Sequence, residues 1–379
     1  MKKENKDKGI TLVALVITII ILLILATISI QSLTNTELFA KAQEAKEKSQ
    51  NAEENQAKTL NEYEDELNKY ISGDVKTPVK KVSDNIGSVL SITDNTELQD
   101  AYGNKIVVPA GFKVTNDAAT VDKGIVIEDA TSGATAGSQF VWVHVGKIYT
   151  DTTRTDANSK TINLNRYTFN ENGNPTAQGE NIISNYYQEL SSSDKGTTVS
   201  KNITDFKNSV STNGGYYIGR YEARTTTPRT SADNALTQIT EKVTDHIYNY
   251  VTQVQSAQLS QHMYNTSKFT SDLINSYAWD TAIIFIQKCT NQTNYANQTS
   301  LNDSFLATGT SIDKQCNIFD MASNVAEFPT ETSNISSNPC VYRGGYYSST
   351  LGYTSLRDNC IISSSTPTLG FRPILYLTI

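Results

Sequence analysis

Residues 10 to 30 form an uninterrupted apolar run of 21 residues without a charged side chain. About 20 apolar residues are enough for a helix to cross the hydrocarbon layer of a membrane. The run is longer than the apolar segment of an ordinary secretory signal peptide, and the Ala-x-Ala sequence at 40–42 lies well beyond it. The pattern therefore predicts a membrane-spanning helix over 10–31, with the membrane as a partner.

The segment that follows has the pattern of a second, more polar helical region. No Pro or Gly occurs from 33 to 72, and Ala, Glu, Lys and Gln are frequent there, all of them good helix formers. Four apolar residues recur on one helical face: Leu60, Tyr63, Leu67 and Ile71. We predict a helical stalk over 32–72 and a linker over 73–85, where Gly and Pro interrupt the helix.

From residue 86 onward, short apolar runs alternate with turn residues. Runs within 103–114, 124–129, 138–146 and 214–223 are bounded by Gly and predict strands. Helical patterns over 249–264 and 271–288 interrupt them, and an apolar strand ends the chain. The predicted fold class is α+β, with the long N-terminal helix followed by a head domain over 86–379.

Composition indicates a surface or secreted protein. Apolar residues make up 38% and charged residues 19%, there are 20 Tyr, and the formal net charge is −7. That charge provides no electrostatic footprint for nucleic acid, so no nucleic-acid partner is expected. The three histidines are far apart and lack zinc-ligand spacing.

The four cysteines are compatible with two disulfides in an oxidising compartment. They are Cys289, Cys316, Cys340 and Cys360. Three pairings are possible, and of these we favour Cys316 with Cys340, which flank one segment. Four buried free thiols are the alternative.

The N-terminus resembles that of type IV prepilins and pseudopilins. A short Lys-rich leader over 1–9 ends in Gly9 and is followed at once by the apolar run. The resemblance implies cleavage after Gly9, methylation of Ile10, and other pilin subunits or self-assembly as partners. The chain departs from the family at Ala14, where the family usually carries Glu. An uncleaved signal-anchor is the alternative.

The head resembles the formylglycine-generating enzymes and sulfatase-modifying factors, which have a C-type-lectin-like fold. The likeness is strongest over 139–379 and rests on six motifs in order: "FVWV", "GGYYIGRYEA", "AWDTAIIFI", "NIFDMASNVAEF", "YRGG" and "GFR". It implies a C-type-lectin-like head, with the earlier strands as an extension. Fold alone does not give function.

The segment "DMASNVAEF" is similar to the calcium-binding stretch of that family. The resemblance implies a calcium site formed by Asp320, the carbonyls of Ser323 and Val325, and Glu327, all oxygen ligands of the kind calcium prefers. A carboxylate turn without metal is the alternative.

The active members of the family use two cysteines after the Arg-Gly-Gly, which bind copper. The matching positions here hold Ser349 and Thr354, and neither supplies a soft thiolate ligand. No other catalytic motif occurs. We therefore predict that the chain is not an enzyme and binds no copper.

The remaining family-matched residues predict core support. Arg343 and Arg372 lie where the family has a buried ladder, and we expect them to bond to backbone or to acids. Trp142 and Trp279 are likewise expected in the core rather than as ligand platforms.

The stretch 346–369 has the composition of an antibody paratope, in which Tyr gives rigid contact area and Ser and Asn adapt their hydrogen bonds. It also lacks Lys, Glu, Gln, Met and Trp, the residues that an Asn codon cannot yield when its adenines are mutated. In this it resembles the target proteins of diversity-generating retroelements. The predicted ligand-binding residues are Tyr346, Tyr347, Ser349, Tyr353, Arg357, Asp358 and Asn359.

The sequence thus predicts a membrane-anchored, surface-displayed binding or adhesion protein whose head binds an external protein or glycan, and the prepilin resemblance implies that it is part of a pilus. A degenerate formylglycine-generating-type enzyme is one alternative. A purely structural pilin, and for the stretch 346–369 a surface loop with no special role, are the others.

Overall fold

The computed structural model describes residues 8–34, 41, 44–46, 48–49, 51–53, 56, 59–60, 79–187, 201, 203–301, 303–307, 309–310 and 312–379. The chain divides into two compact units, Met1–Pro78 and Val79–Ile379. Each unit is described here by itself.

The first unit contains one apolar helix, α1 (Lys8–Thr34). Its 27 residues span about 40 Å at 1.5 Å per residue. The window Val13–Ile30 has a mean hydropathy of 3.1, and hydroxyls such as that of Thr18 donate to the carbonyl four residues earlier (2.7 Å to Ala14), so they need no water. The predicted apolar helix is confirmed; a membrane anchor and a signal sequence both fit it.

Most of the predicted stalk and leader lies outside the described residues. The described residues between 41 and 60 are helical. The second unit begins at Val79, inside the predicted linker over 73–85. Val82 is fully buried and its N–H donates to the Gln99 carbonyl (2.8 Å), so residues 79–85 pack as part of the head.

The described part of the second unit has three further α-helices and 22 strands. The helices are α2 (Ile203–Asn213), α3 (Gln253–Met263) and α4 (Ser276–Cys289). The strands are β1 (Thr96–Gln99), β2 (Lys105–Val108), β3 (Phe112–Val114), β4 (Val126–Asp129), β5 (Gln139–His144), β6 (Gly146–Tyr149), β7 (Ser159–Ile162), β8 (Tyr167–Phe169), β9 (Pro175–Ala177), β10 (Tyr186–Tyr187), β11 (Gly215–Gly219), β12 (Arg224–Thr225), β13 (His246–Ile247), β14 (Phe269–Leu273), β15 (Lys314–Gln315), β16 (Ile318–Phe319), β17 (Ala326–Phe328), β18 (Thr332–Ser333), β19 (Cys340–Arg343), β20 (Arg357–Cys360), β21 (Leu369–Phe371) and β22 (Pro373–Leu377).

Two six-stranded sheets organise this unit. The first has the order β14-β22-β11-β5-β4-β3 and is antiparallel throughout. The second has the order β10-β18-β19-β17-β21, with β20 paired to β19. In it, β17 and β21 are parallel. The observed class is therefore mixed α+β, dominated by sheet, as predicted.

The predicted strands all appear, and the helices appear with shifted bounds. The pattern over 271–288 begins as strand β14, and α4 starts only after Asn275, whose side chain accepts from the Ala278 N–H (2.9 Å) as an N-cap. Helix α2 was missed, because little more than Phe206 and Val210 marks its buried face. Trp142 and Trp279 are both fully buried, so their prediction as core residues is confirmed.

Candidate functional site

The predicted binding stretch begins with a loop between two adjacent strands of the second sheet. Residues 344–356, the tyrosine loop, connect β19 to β20, which pair in antiparallel register. Its 13 residues contain no charged side chain. Both of its ends are therefore fixed by the sheet.

The loop rests on the turn that was predicted to bind calcium. Gly344 has φ +77°, and a Cβ at Gly345 would lie 2.2 Å from the carbonyl oxygen of Ala322. A Cβ at Gly352 would lie 2.8 Å from the Cα of Gly345. Gly345 and Gly352 have no Cβ, so the backbone of the loop can pack directly on the backbone beside it. This packing brings the predicted binding loop and the predicted calcium-binding turn together.

Hydrogen bonds from the main chain of the tyrosine loop fix its position. The Tyr347 N–H donates to the Asn324 carbonyl (3.0 Å) and the Thr354 N–H to the Gln298 carbonyl (3.0 Å). The Trp279 indole N–H donates to the Thr354 carbonyl (2.9 Å). The loop is thus tied to a turn, to a second loop and to the core helix α4.

The tyrosine loop exposes an apolar and an aromatic side chain beside the polar Ser348 and Thr350. Leu351 is 85% exposed and Tyr353 36% exposed, whereas Tyr346 and Tyr347 are half-buried. Leu351 was not among the predicted binding residues, although it is the most exposed large apolar side chain described in the head.

A second loop, which sequence reasoning missed, adjoins the first. The companion loop, described over 298–301 and 303–307, pairs with the tyrosine loop through the bridge Thr299–Tyr353. The Phe305 and Tyr347 rings meet edge to face at 5.7 Å. Leu301 is 41% exposed and Phe305 44% exposed. Isolated apolar residues within the polar run "TSLNDSFLAT" were the available signal.

Beside these loops lies a cavity of about 400 Å³ with a mostly polar lining. Tyr353 and Arg357 contribute from the predicted set. The earlier segments of the chain add Glu171, Tyr186 and Asn297. The cavity brings distant parts of the chain to the edge of the tyrosine loop.

Buried charges support the loop from below. Arg343 donates to Asp280 (2.6 Å) and lies 3.4 Å from Glu331, and all three side chains are fully buried. Arg357 donates to Glu331 (3.0 Å) and also to Asp280, and Arg166 donates to Glu331 (2.7 Å). Burial raises the pKa of Asp280, but the charges of Arg357 and Arg343 outweigh it and the pKa is lowered.

This network confirms Arg343 as core support and gives Arg357 a similar position. The Arg357 side chain is only 6% exposed, so its guanidinium faces the acids even though the residue lines the cavity. Its role in ligand binding stays a prediction. Asp358 accepts from the Tyr342 hydroxyl (2.6 Å), and the Asn359 amide lies 3.4 Å from the Tyr186 hydroxyl.

Among the predicted calcium ligands, Glu327 has another partner for its carboxylate. Arg372 donates to both carboxylate oxygens of Glu327 (2.6 and 3.0 Å), with both residues buried, which confirms Arg372 as core support. The Val325 N–H donates to Glu222 (2.9 Å), and the Ser323 hydroxyl accepts from the Leu301 N–H (3.1 Å). Asp320 is fully buried and has φ +65°.

A guanidinium on both oxygens of Glu327 opposes a cation at the same carboxylate. The geometry at Glu327 therefore counts against calcium there. Among the described residues, no cluster of three or more His, Cys, Asp or Glu side chains is suited to a metal ion. Calcium binding stays a prediction for titration to test.

The two positions that match the copper ligands of the enzyme family are parts of the loop framework. The Ser349 hydroxyl accepts from the Gly352 N–H (3.0 Å). Thr354 is fully buried, with its hydroxyl 3.3 Å from the Gln298 carbonyl. Both hydroxyls therefore serve the conformation of the loop.

All four cysteines are free thiols in the structure, and the favoured disulfide between Cys316 and Cys340 stays a prediction. Cys340 lies opposite Cys360 across β19 and β20. Cys289 and Cys316 line a separate cavity.

Gly9 and Ile10 lie in the first turn of α1, and their processing stays a prediction.

Comparison with known proteins gives weak likenesses. No family model matches the chain, and no curated protein matches it. A solved structure described as "Crystal Structure of CarF" is 16% identical with a TM-score of 0.24 and covers 29% of this chain, which spans 48% of that one. "Treponema denticola variable protein 1" is 13% identical with a TM-score of 0.28, covering 64% of this chain and 98% of its own. At these scores the likenesses assign no family.

Proposed function

We propose that this chain is a membrane-anchored surface protein whose head binds an external ligand through the tyrosine loop and the companion loop. Helix α1 would be the anchor, and the head would be displayed outside the cell. The one observation that carries the proposal is the exposure of apolar and aromatic side chains on a loop whose main chain is held from below.

Such an arrangement favours binding for a physical reason. A loop that is already ordered loses little conformational freedom when it binds, so more of the contact energy appears as affinity. Tyr side chains add large rigid contact area with few rotatable bonds. Leu351 and Phe305 add exposed apolar contact area to the two loops, and aromatic residues such as Phe305 are enriched in protein interfaces.

We favour a protein ligand over a glycan. The exposed Leu351 side chain has no hydrogen-bonding group to match sugar hydroxyls, whereas it matches an apolar patch on a protein. A glycan stacking on Tyr353 is the alternative outcome of the test below. The C-type-lectin-like fold, the prepilin-like processing and diversification of the stretch 346–369 are part of the proposal, supported by the motif order and the composition of the sequence.

The proposal includes no oxidase activity and no copper. Its support is the identity of Ser349 and Thr354, whose hydroxyls lie 3.0 and 3.3 Å from backbone atoms of the loops. Incubation of the full chain with copper and a Cys-containing peptide is expected to yield no formylglycine. Formation of formylglycine would instead support the enzyme hypothesis.

The test of binding uses the full chain in detergent micelles. Peptides selected on it from a phage-displayed random library, together with a printed glycan array, serve as probes. The loop variant carries Leu351→Ser and Phe305→Ser. The control variant carries Val89→Ser and Ile92→Ser, at two residues that are 40% and 82% exposed on another part of the head.

We expect the selected peptides to lose about tenfold or more in affinity for the loop variant, since hot-spot truncations cost roughly 2 kcal/mol. The control variant should bind as wild type does. Equal binding by all three proteins, on peptides and glycans alike, would contradict the proposal and favour a structural pilin.

A further inference from the structure

The base of the tyrosine loop carries two thiols in register. Cys340, the first residue of β19, lies directly opposite Cys360, the last residue of β20. Directly opposite residues of an antiparallel pair have Cα atoms about 4.5–5.5 Å apart, which is within the range of disulfides. Their side chains also point to the same face of the sheet.

A neighbouring pair shows that side chains on this face meet across the two strands. Tyr342 lies opposite Asp358, two residues along from each cysteine and therefore on the same face. Its hydroxyl donates to the Asp358 carboxylate at 2.6 Å. Side chains on this face of the antiparallel pair therefore reach each other two residues away from the thiols.

The other two cysteines lie elsewhere in the head. Cys289 and Cys316 line a cavity of about 480 Å³ together with Asp122 and Lys123. The Cys316 thiol donates to the Asp122 carbonyl (3.7 Å). Each cysteine thus has one nearby candidate partner, and Cys340 has Cys360.

We propose that Cys340 and Cys360 are oxidised to a disulfide that closes the base of the tyrosine loop. Each thiol loses its proton, one S–S bond forms, and the two electrons reduce a disulfide oxidant such as oxidised glutathione to two thiols. The ring so formed contains the tyrosine loop, so the bond reduces the freedom of the surface that binds in the proposed function, on which this role rests.

The burial of the thiols determines the stage of folding at which the disulfide can form. Burial raises the pKa of the Cys340 thiol to about 12, and it also raises the pKa of the Cys360 thiol. The thiolate is the attacking species in disulfide exchange, so exchange in the folded protein is slow. We therefore expect the bond to form while the chain folds.

The pairing is tested by mass mapping of the full chain, purified from membranes after alkylation of free thiols. Trypsin alone leaves Cys316 and Cys340 in one peptide, 315–343; further cleavage after Glu327 and Glu331 separates them. We expect peptide 332–343 linked to peptide 358–379, because trypsin does not cleave between Arg372 and Pro373. Alkylated Cys340 and Cys360, or Cys340 linked to Cys289 or Cys316, would overturn the proposal.

The effect on the loop is tested by limited chymotrypsin digestion of the full chain. Cys340→Ser with Cys360→Ser is compared with Cys289→Ser plus Cys316→Ser as the matched control. We expect cleavage at the loop tyrosines to become about tenfold faster only in the first variant, because its loop opens more often. Equal rates in both variants would overturn the constraining role.

These readouts are independent of any ligand. An intact disulfide in a protein whose loops bind no probe would count against the proposed function alone. Free thiols in a protein whose loops do bind would count against the disulfide alone.

Discussion

The indole N–H of Trp279 donates a 2.9 Å hydrogen bond to the backbone carbonyl of Thr354. Trp279 is a fully buried residue of α4, and Thr354 belongs to the tyrosine loop. A Cβ at Gly344 would lie 3.3 Å from the same indole ring. The core helix and the candidate binding surface are thus joined by one side chain.

We predict that Trp279→Phe destabilises the head more than Trp142→Phe does. Both tryptophans are fully buried, and the indole nitrogen of Trp142 has no hydrogen-bond partner among the described residues. The Trp279 variant alone leaves a buried carbonyl unsatisfied, which costs about 1–3 kcal/mol. Urea unfolding in detergent measures the difference, and equal losses would contradict the role of this hydrogen bond.

Replacement of Gly345 by Ala should also be costly. The new Cβ would lie 2.2 Å from the Ala322 carbonyl oxygen, so the loop or the turn beneath it must shift, at a cost of about 1–3 kcal/mol. Gly133→Ala, where the nearest atom is 3.9 Å away, is the matched control and should be close to neutral. Thermal unfolding compares the two, and an unchanged Tm in Gly345→Ala would show that the loop is free to move.

We expect Asp280→Asn to destabilise the head strongly. Its carboxylate accepts from Arg343 and Arg357, and neutralising it leaves buried guanidinium groups with reduced compensation, at a cost of about 3–5 kcal/mol. The exposed Asp233 provides the control Asp233→Asn, which should be silent. A decrease of less than about 1 kcal/mol in the free energy of unfolding, the value typical of surface pairs, would show that the network contributes little to stability.

The stability of the head should fall as the pH falls from about 6.5 towards 4. Burial lowers the pKa of His144 from 6.5 to about 4, against smaller opposing effects of a hydrogen bond with the Lys105 backbone and of the Asp100 charge. Since the unfolded chain binds the proton more readily, stability is complete above pH 6.5 and is lost as the pH falls, by up to about 3 kcal/mol. His144→Gln should flatten this slope, whereas the exposed His262→Gln should keep it; equal slopes would contradict the assignment.

The sequence predicted the elements better than the site. Alternation and Gly boundaries were enough for β5 and β11, because their apolar runs are continuous and their ends are marked. The paired bonds of Arg372 to Glu327 were only partly foreseen: core support was predicted for the arginine, while the glutamate was predicted as a calcium ligand. A glutamate looks the same in the sequence whether it binds a metal ion or pairs with an arginine. Only its neighbours in space distinguish the two roles.

The companion loop could not be predicted because its relation to the tyrosine loop is long-range. Phe305 and Tyr347 are 42 residues apart in sequence, yet their rings are in contact. No local pattern encodes that proximity. The pairing of Cys340 with Cys360 is similar, since spacing alone allows three connectivities and only the strand register favours one.

The bonds that anchor the tyrosine loop have a consequence for how such a protein can evolve. Three of these bonds use, on the loop side, only main-chain atoms: the N–H groups of Tyr347 and Thr354 and the carbonyl of Thr354. Main-chain atoms are the same for every residue except proline. The outward side chains of this loop can therefore change during evolution while the anchoring bonds persist. A new binding specificity then does not require a change in the fold.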